Sequence, residues 1–71
     1  MRYLVVLEQG ATSCGAYVPD LPGCVAAGKT RHEALALIRE AIELHISDLR
    51  QRGEPIPSPS SSGEVIEVPA A

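Results

Sequence analysis

Two histidines, two cysteines and a few carboxylates are the residues of this chain that catalysis or metal binding would need, and their spacing keeps them apart. His32 and His45 fall thirteen residues apart on one predicted helix. At 1.5 Å per residue that is roughly 20 Å, too far to share a metal ion. Cys24 with His32 is the remaining pairing, and no further ligand supports it. Metal-assisted nucleolysis needs several convergent carboxylates, whereas Asp20 lies in a corner and Glu8 and Glu67 end predicted strands. A nucleophilic Cys14 or Cys24 needs a neighbouring base, and none is evident. The expectation is a protein with no catalytic, metal or cofactor site, acting through its surfaces. His32 reads as a solvated residue of the first helical turn, His45 as a boundary residue of the core, and Ser58 and Ser60 to Ser62 as plain linker.

The elements that carry these residues follow from apolar pattern and turn chemistry. Tyr3, Leu4, Val5, Val6 and Leu7 are apolar without a break. Arg2 to Glu8 is therefore predicted as a strand covered on both faces, with Leu4 and Val6 on one side and Tyr3, Val5 and Leu7 on the other. Gln9 to Thr12 make a turn, Ser13 to Val18 a second strand, and Cys24 to Gly28 a short third one. Between the last two stands Val18-Pro19-Asp20-Leu21-Pro22-Gly23-Cys24. Each proline fixes its own φ and pushes the residue before it towards extended geometry, Asp20 can bond the backbone ahead of it, and Gly23 can take a positive φ. The stretch reads as a tight hairpin corner. It also separates the cysteines by about three residue steps along the ladder, roughly 10 Å, beyond the reach of a disulfide at about 4.4–6.8 Å. Both are expected to be reduced and buried.

Thr30-Arg31-His32-Glu33 is a capping box that opens a helix running to about Gln51, with Gly53 as its stop and Pro55 beyond. Leu35, Ile38, Ile42, Ile46 and Leu49 fall within about 80° of one another and are predicted to be the core face. Leu37, Ala41 and Leu44 form a second apolar stripe roughly 120° round the helix. Residues 54–63 form a Pro- and Ser-rich connector in which Ile56 is the expected anchor. Glu64 to Val68 returns to strand character, and Pro69 ends it. The predicted order is β-β-β-α-β, an α+β fold. It comprises a three-stranded antiparallel meander, one long helix on one face, and a fourth strand lying parallel beside the first through a right-handed crossover.

With 71 residues the chain has room for one domain, residues 1–71, with the connector inside it. A domain of this size hides only about 60% of its unfolded surface, and this one has no Phe or Trp and only two Tyr. Self-association, as a dimer or tetramer, is the expected remedy. A net charge of -3 with six scattered basic residues argues against direct DNA or RNA binding. No long apolar segment suggests a membrane span, and no signal peptide follows Met1, so a cytoplasmic protein is expected.

Three stretches together resemble the HicB-type antitoxin family: VPDLPGCVAAGKT at 18–30, EAL at 33–35, and REAIELHISDLRQRGEPIPSPS at 39–60. The resemblance spans about Tyr17 to Ser60. It implies a partial ribonuclease-H-like sheet with one helix. It also implies a binding function: members of the family hold a small, basic, mRNA-cleaving toxin of the HicA type inactive. Many members carry a second, C-terminal helix-turn-helix or ribbon-helix-helix domain that represses their operon. This sequence stops at Ala71, and the expectation is a single-domain member that does not bind its operator directly. The competing reading is an orphan module of the same fold with another protein partner.

The residues expected to form the self-association or partner interface are Leu37, Ala41 and Leu44 on the helix and Tyr3, Val5 and Tyr17 on the strands. Asp20 joins them at the corner. One helix covers one face of a sheet, so a first strand apolar on both sides calls for a second partner. Asp20 reads first as a turn-capping residue and second as a charge presented to a basic toxin.

Overall fold

The two-proline corner is built from two successive turns. In the computed structural model, which describes residues 1–70, the Val18 carbonyl accepts from the Leu21 N–H at 3.1 Å and the Leu21 carbonyl accepts from the Cys24 N–H at 3.0 Å. Pro19 and Pro22 each stand second in a turn, where their fixed φ is already correct. Gly23 stands third in the later turn at φ 82°, a conformation that side chains disfavour. The Val18 N–H then reaches the Cys24 carbonyl at 3.2 Å and closes the hairpin. This joins β2 (Cys14–Tyr17) to β3 (Val25–Gly28), and β1 (Val6–Gln9) pairs with the other edge of β2. The sheet is antiparallel throughout, in the order β1-β2-β3. Tyr17 faces Val25 and Cys14 faces Gly28. Cys24 therefore lies four steps beyond Gly28's end of the ladder, about 13 Å from Cys14. Both thiols are free and buried.

The first strand is shorter than predicted. Continuing the β1–β2 register by two steps would set Val5 against Val18 and Leu4 against Pro19. The Val18 N–H is already spent across the corner, and Pro19 has none. Residues before Val6 therefore lack ladder partners, although Tyr3, Val5 and Leu7 still pack on the core.

The helix, α1 (Arg31–Gln51), begins and ends where the sequence signals stand. Thr30 Oγ1 accepts from the Glu33 N–H at 3.1 Å. Glu33 reaches back to the Lys29 N–H at 3.3 Å, one residue earlier than the Thr30 N–H of a standard box. At the far end the Glu54 N–H reaches the Leu49 carbonyl at 2.9 Å and the Gly53 N–H reaches the Arg50 carbonyl at 3.1 Å, with Gly53 at φ 68°. That is the paired C-terminal closure in which glycine satisfies the last carbonyls.

The helix packs chiefly on β3 and β2 and touches β1 least. Gly28 sets this offset. A Cβ at Gly28 would meet the Ala34 nitrogen at 2.7 Å, so only glycine lets the first helical turn come down on the end of β3. The buried helix positions are consequently Ala34, Ile38 and Leu49, with Ala41 and Ile42 packed at their margin. This corrects the predicted core stripe. Leu35 lies exposed at its edge, and Ala41, expected on the second stripe, belongs to the core side. The remaining core is Cys14, Ala16, Val18, Leu21 and Cys24.

Beyond α1 the connector is tied down by polar groups rather than by Ile56 alone. The Tyr3 hydroxyl donates to the Pro57 carbonyl. Asp20 accepts from the Ser60 and Ser61 N–H groups at 2.9 and 2.8 Å and from their hydroxyls at 3.1 and 2.8 Å. The serines predicted as plain linker thus include two anchors. Among the described residues no strand follows the helix: the fourth strand expected beside the first is not formed within this chain. Val65, Ile66 and Val68 stand exposed. What the structure holds is an α+β fold of three antiparallel strands and one helix.

Candidate interaction surfaces

The pleat and the helix offset together distribute the apolar surface over three places. Ala16, in β2, is buried under the helix, so its neighbour Tyr17 points to the opposite face of the sheet. The register aligns Val6, Tyr17 and Val25 in one row across that open face. Tyr17 and Val25 are exposed and Val6 is half-buried. Tyr17 was expected here. Val25 was missed because the third strand's small residues gave no sign of which of its sides faced water.

The second place is the helix flank. Leu37 is 39% exposed and Leu44 65% exposed. They lie two turns apart on one side of α1, and with Ala41 drawn into the core margin the stripe reduces to these two leucines. The third place is a groove between α1 and the residues that lead into β1. Tyr3 and Val5 form one wall with Met1 and Arg2, while Leu35, Ile38 and Ile42 form the other, and Arg39 and Glu43 stand at its rim. Its volume is about 640 Å3. Tyr3 and Val5 are therefore on the helix-facing side, away from Tyr17. The expected interface residues do not form one patch.

Asp20 belongs to none of these surfaces. It faces the connector, and its four hydrogen bonds from Ser60 and Ser61 are a tether between the corner and residues forty positions on. Backbone N–H donation from Ser61, then Ser60, stabilises the carboxylate and holds its pKa at about 2. The sign follows directly. A folded-state pKa below the unfolded one, about 3.9, contributes stability that is present above pH 4 and is lost as the pH falls through about 2. The Ser60 and Ser61 amide resonances are expected to titrate together with a midpoint near pH 2 and to lose that titration in Asp20→Asn. A midpoint near 4 would remove the tether.

Neither histidine is placed for metal chemistry: His32 is exposed and His45 half-buried on the helix. No group of three or more His, Cys, Asp or Glu that could hold a metal ion occurs among the described residues. Burial pushes the Cys24 thiol pKa up, which keeps it protonated and unreactive. Among the described residues, no helix is long and apolar enough to cross a membrane. The structure presents three apolar surfaces and a tether.

Residues 3–70 match the family described as the HicB-like antitoxin of bacterial toxin–antitoxin systems. The chain belongs to this HicB-like antitoxin family. A relative named Antitoxin HicB 2, from Photorhabdus laumondii, is 38% identical over the whole of this chain, which covers 52% of that relative. A UPF0150 protein of Thermoplasma acidophilum is 43% identical over 80% of this chain and 84% of its own length. A UPF0150 protein of Helicobacter pylori is 50% identical over 62% of this chain and 61% of its own. The chain thus spans about half the length of the named HicB antitoxin and most of the Thermoplasma relative. The family match includes the connector and the exposed segment after it.

Proposed function

We propose that this HicB-like protein is the antitoxin of a type II toxin–antitoxin pair, and that it binds and occludes a small, mRNA-cleaving toxin of the HicA type. The observation that carries the reading is the family match over residues 3–70. The surfaces agree with it in kind. Leu37 and Leu44 on the helix flank, and the Val6–Tyr17–Val25 row on the sheet, are apolar and open, as an occluding interface needs at its centre. A net charge of -3 suits a basic partner and raises the rate of encounter with it. On this reading the chain works in the cytoplasm as one domain, has no catalytic step of its own, does not bind DNA directly, and self-associates.

The test mixes the purified protein with a small, basic HicA-type toxin and follows RNA cleavage. Cleavage is expected to stop near equimolar antitoxin. Leu37→Asp/Leu44→Asp is expected to weaken inhibition at least tenfold if the helix flank is the contact, with Tyr17→Asp as the corresponding probe of the sheet. Undiminished cleavage at excess protein overturns the antitoxin reading in favour of an orphan module of the same fold.

A further inference from the structure

The segment after the connector and the free side of β1 are each incomplete, and they fit one another. Val65 is 98% exposed, Ile66 75% and Val68 77%. Three β-branched residues within four positions are strand formers by sequence, and the hydrophobic effect opposes leaving them in water. They stand off the body of the protein. The radius of gyration is 14.2 Å and the longest dimension 52 Å, against about 11 Å for the radius of a compact chain of this length.

On the other side, β1 is an edge strand with no partner beyond it, a natural acceptor for a further strand. The residues that lead into that edge form one wall of the groove, through Val5, and Leu35, Ile38 and Ile42 form the other. A strand added to β1 and continued along these residues would lie over the open side of this groove. Alternation puts Glu64, Ile66 and Val68 on one face of such a strand and Val65 and Glu67 on the other. Ile66 and Val68 then fill the groove, and Glu64 meets its rim, where Arg2 and Arg39 make no ion pair among the described residues. Val65 joins Leu4 and Val6 on the open face of the sheet.

The chain does not make this closure with itself. The Asp20 tether fixes Ser60 and Ser61, and a Cβ added at Gly63 would come within 3.5 Å of a Leu4 methyl. From there the segment leaves its own β1 rather than following it. Ser62 and Gly63 join a fixed anchor to an exposed apolar segment, which is the arrangement that exchanges between copies.

We infer that Glu64–Val68 of one copy adds as the fourth strand to the β1 edge of a second copy, and that the second returns its own segment to the first. One two-fold operation satisfies both edges and both grooves and leaves no open end. This supplies the form of the self-association proposed above and is independent of the toxin.

Light scattering after gel filtration is expected to give twice the chain mass at micromolar concentration. Ile66→Asp, which puts a charge where the added strand would bury an apolar side chain and which is exposed in the single chain, is expected to give the monomer mass with the helical circular dichroism retained. In a mixture of isotope-labelled and unlabelled chains, nuclear Overhauser contacts from the Ile66 methyls to Val5 and Leu7 are expected between chains. Wild type that is monomeric, a dimer indifferent to Ile66→Asp, or contacts confined to one chain would each overturn the exchange. None of these results bears on toxin inhibition, which is read in a separate assay.

Discussion

Leu21→Ala is expected to cost about 3–5 kcal/mol and to leave a large share of the protein unfolded at 37 °C. Leu21 sits in the corner yet is fully buried, beneath the sheet's turn and among Val18, Cys24 and Ile38 of the same core. Leu→Ala in a core costs about 2–5 kcal/mol, and the higher values belong to sites that cannot collapse into the cavity. This site is of that kind. Its backbone is pinned by hydrogen bonds on both sides, from Leu21 to Val18 and from Cys24 to Leu21, and flanked by two prolines. Against a total stability of about 4–10 kcal/mol for a domain of this length, the loss removes a third or more. Urea unfolding measures it directly. A loss below about 1 kcal/mol would mean that the corner is not part of the core.

Gly28→Ala is expected to lower the melting temperature by about 10–20 °C, and Gly28→Val to prevent folding. The added Cβ meets the Ala34 nitrogen at 2.7 Å and two Glu33 carbons at 3.0 Å. The Ala34 nitrogen is helix backbone and donates to the Thr30 carbonyl at 3.0 Å, so it cannot move without opening the first turn. Overpacking costs about 1–3 kcal/mol and a damaged N-cap about 1 more. One kcal/mol corresponds to about 4–8 °C in a domain of this size. Gly15→Ala is the control: its Cβ would have the Glu8 carbonyl at 3.9 Å, an ordinary contact. Equal losses at the two glycines would show that backbone freedom, not the close approach of helix to sheet, is what Gly28 provides.

The asymmetry between these glycines was not legible in the sequence, where both are small residues in short predicted strands. The corner was legible. Pro19, Pro22 and Gly23 each match one slot of a turn, and the slots follow one another within six residues. The helix ends were legible for the same reason, since Thr30, Glu33 and Gly53 act on backbone groups no more than four residues away. The family resemblance was legible because it rests on this same local punctuation in order.

The interface residues fared differently. Tyr3, Val5 and Tyr17 were grouped by their apolar character, yet they occupy opposite faces of the sheet. The β1–β2 register, which no single strand encodes, decides this. Leu37 and Leu44 were placed on an outer stripe, and both are exposed there. Ala41 was placed with them but packs partly buried against the core. Ser60 and Ser61 looked like linker because their partner, Asp20, is forty residues distant in sequence.

By itself the sequence determined where the corner and the helix begin and end, because caps, prolines and positive-φ glycines act over a few residues of backbone. It likewise determined that apolar surface would exceed what one helix covers, because that is a count of side chains. Only the tertiary structure decided which surface is left open. The close approach at Gly28 sets the helix over β2 and β3, so the uncovered groove lies between α1 and the residues that lead into β1, and Val65, Ile66 and Val68 are left exposed.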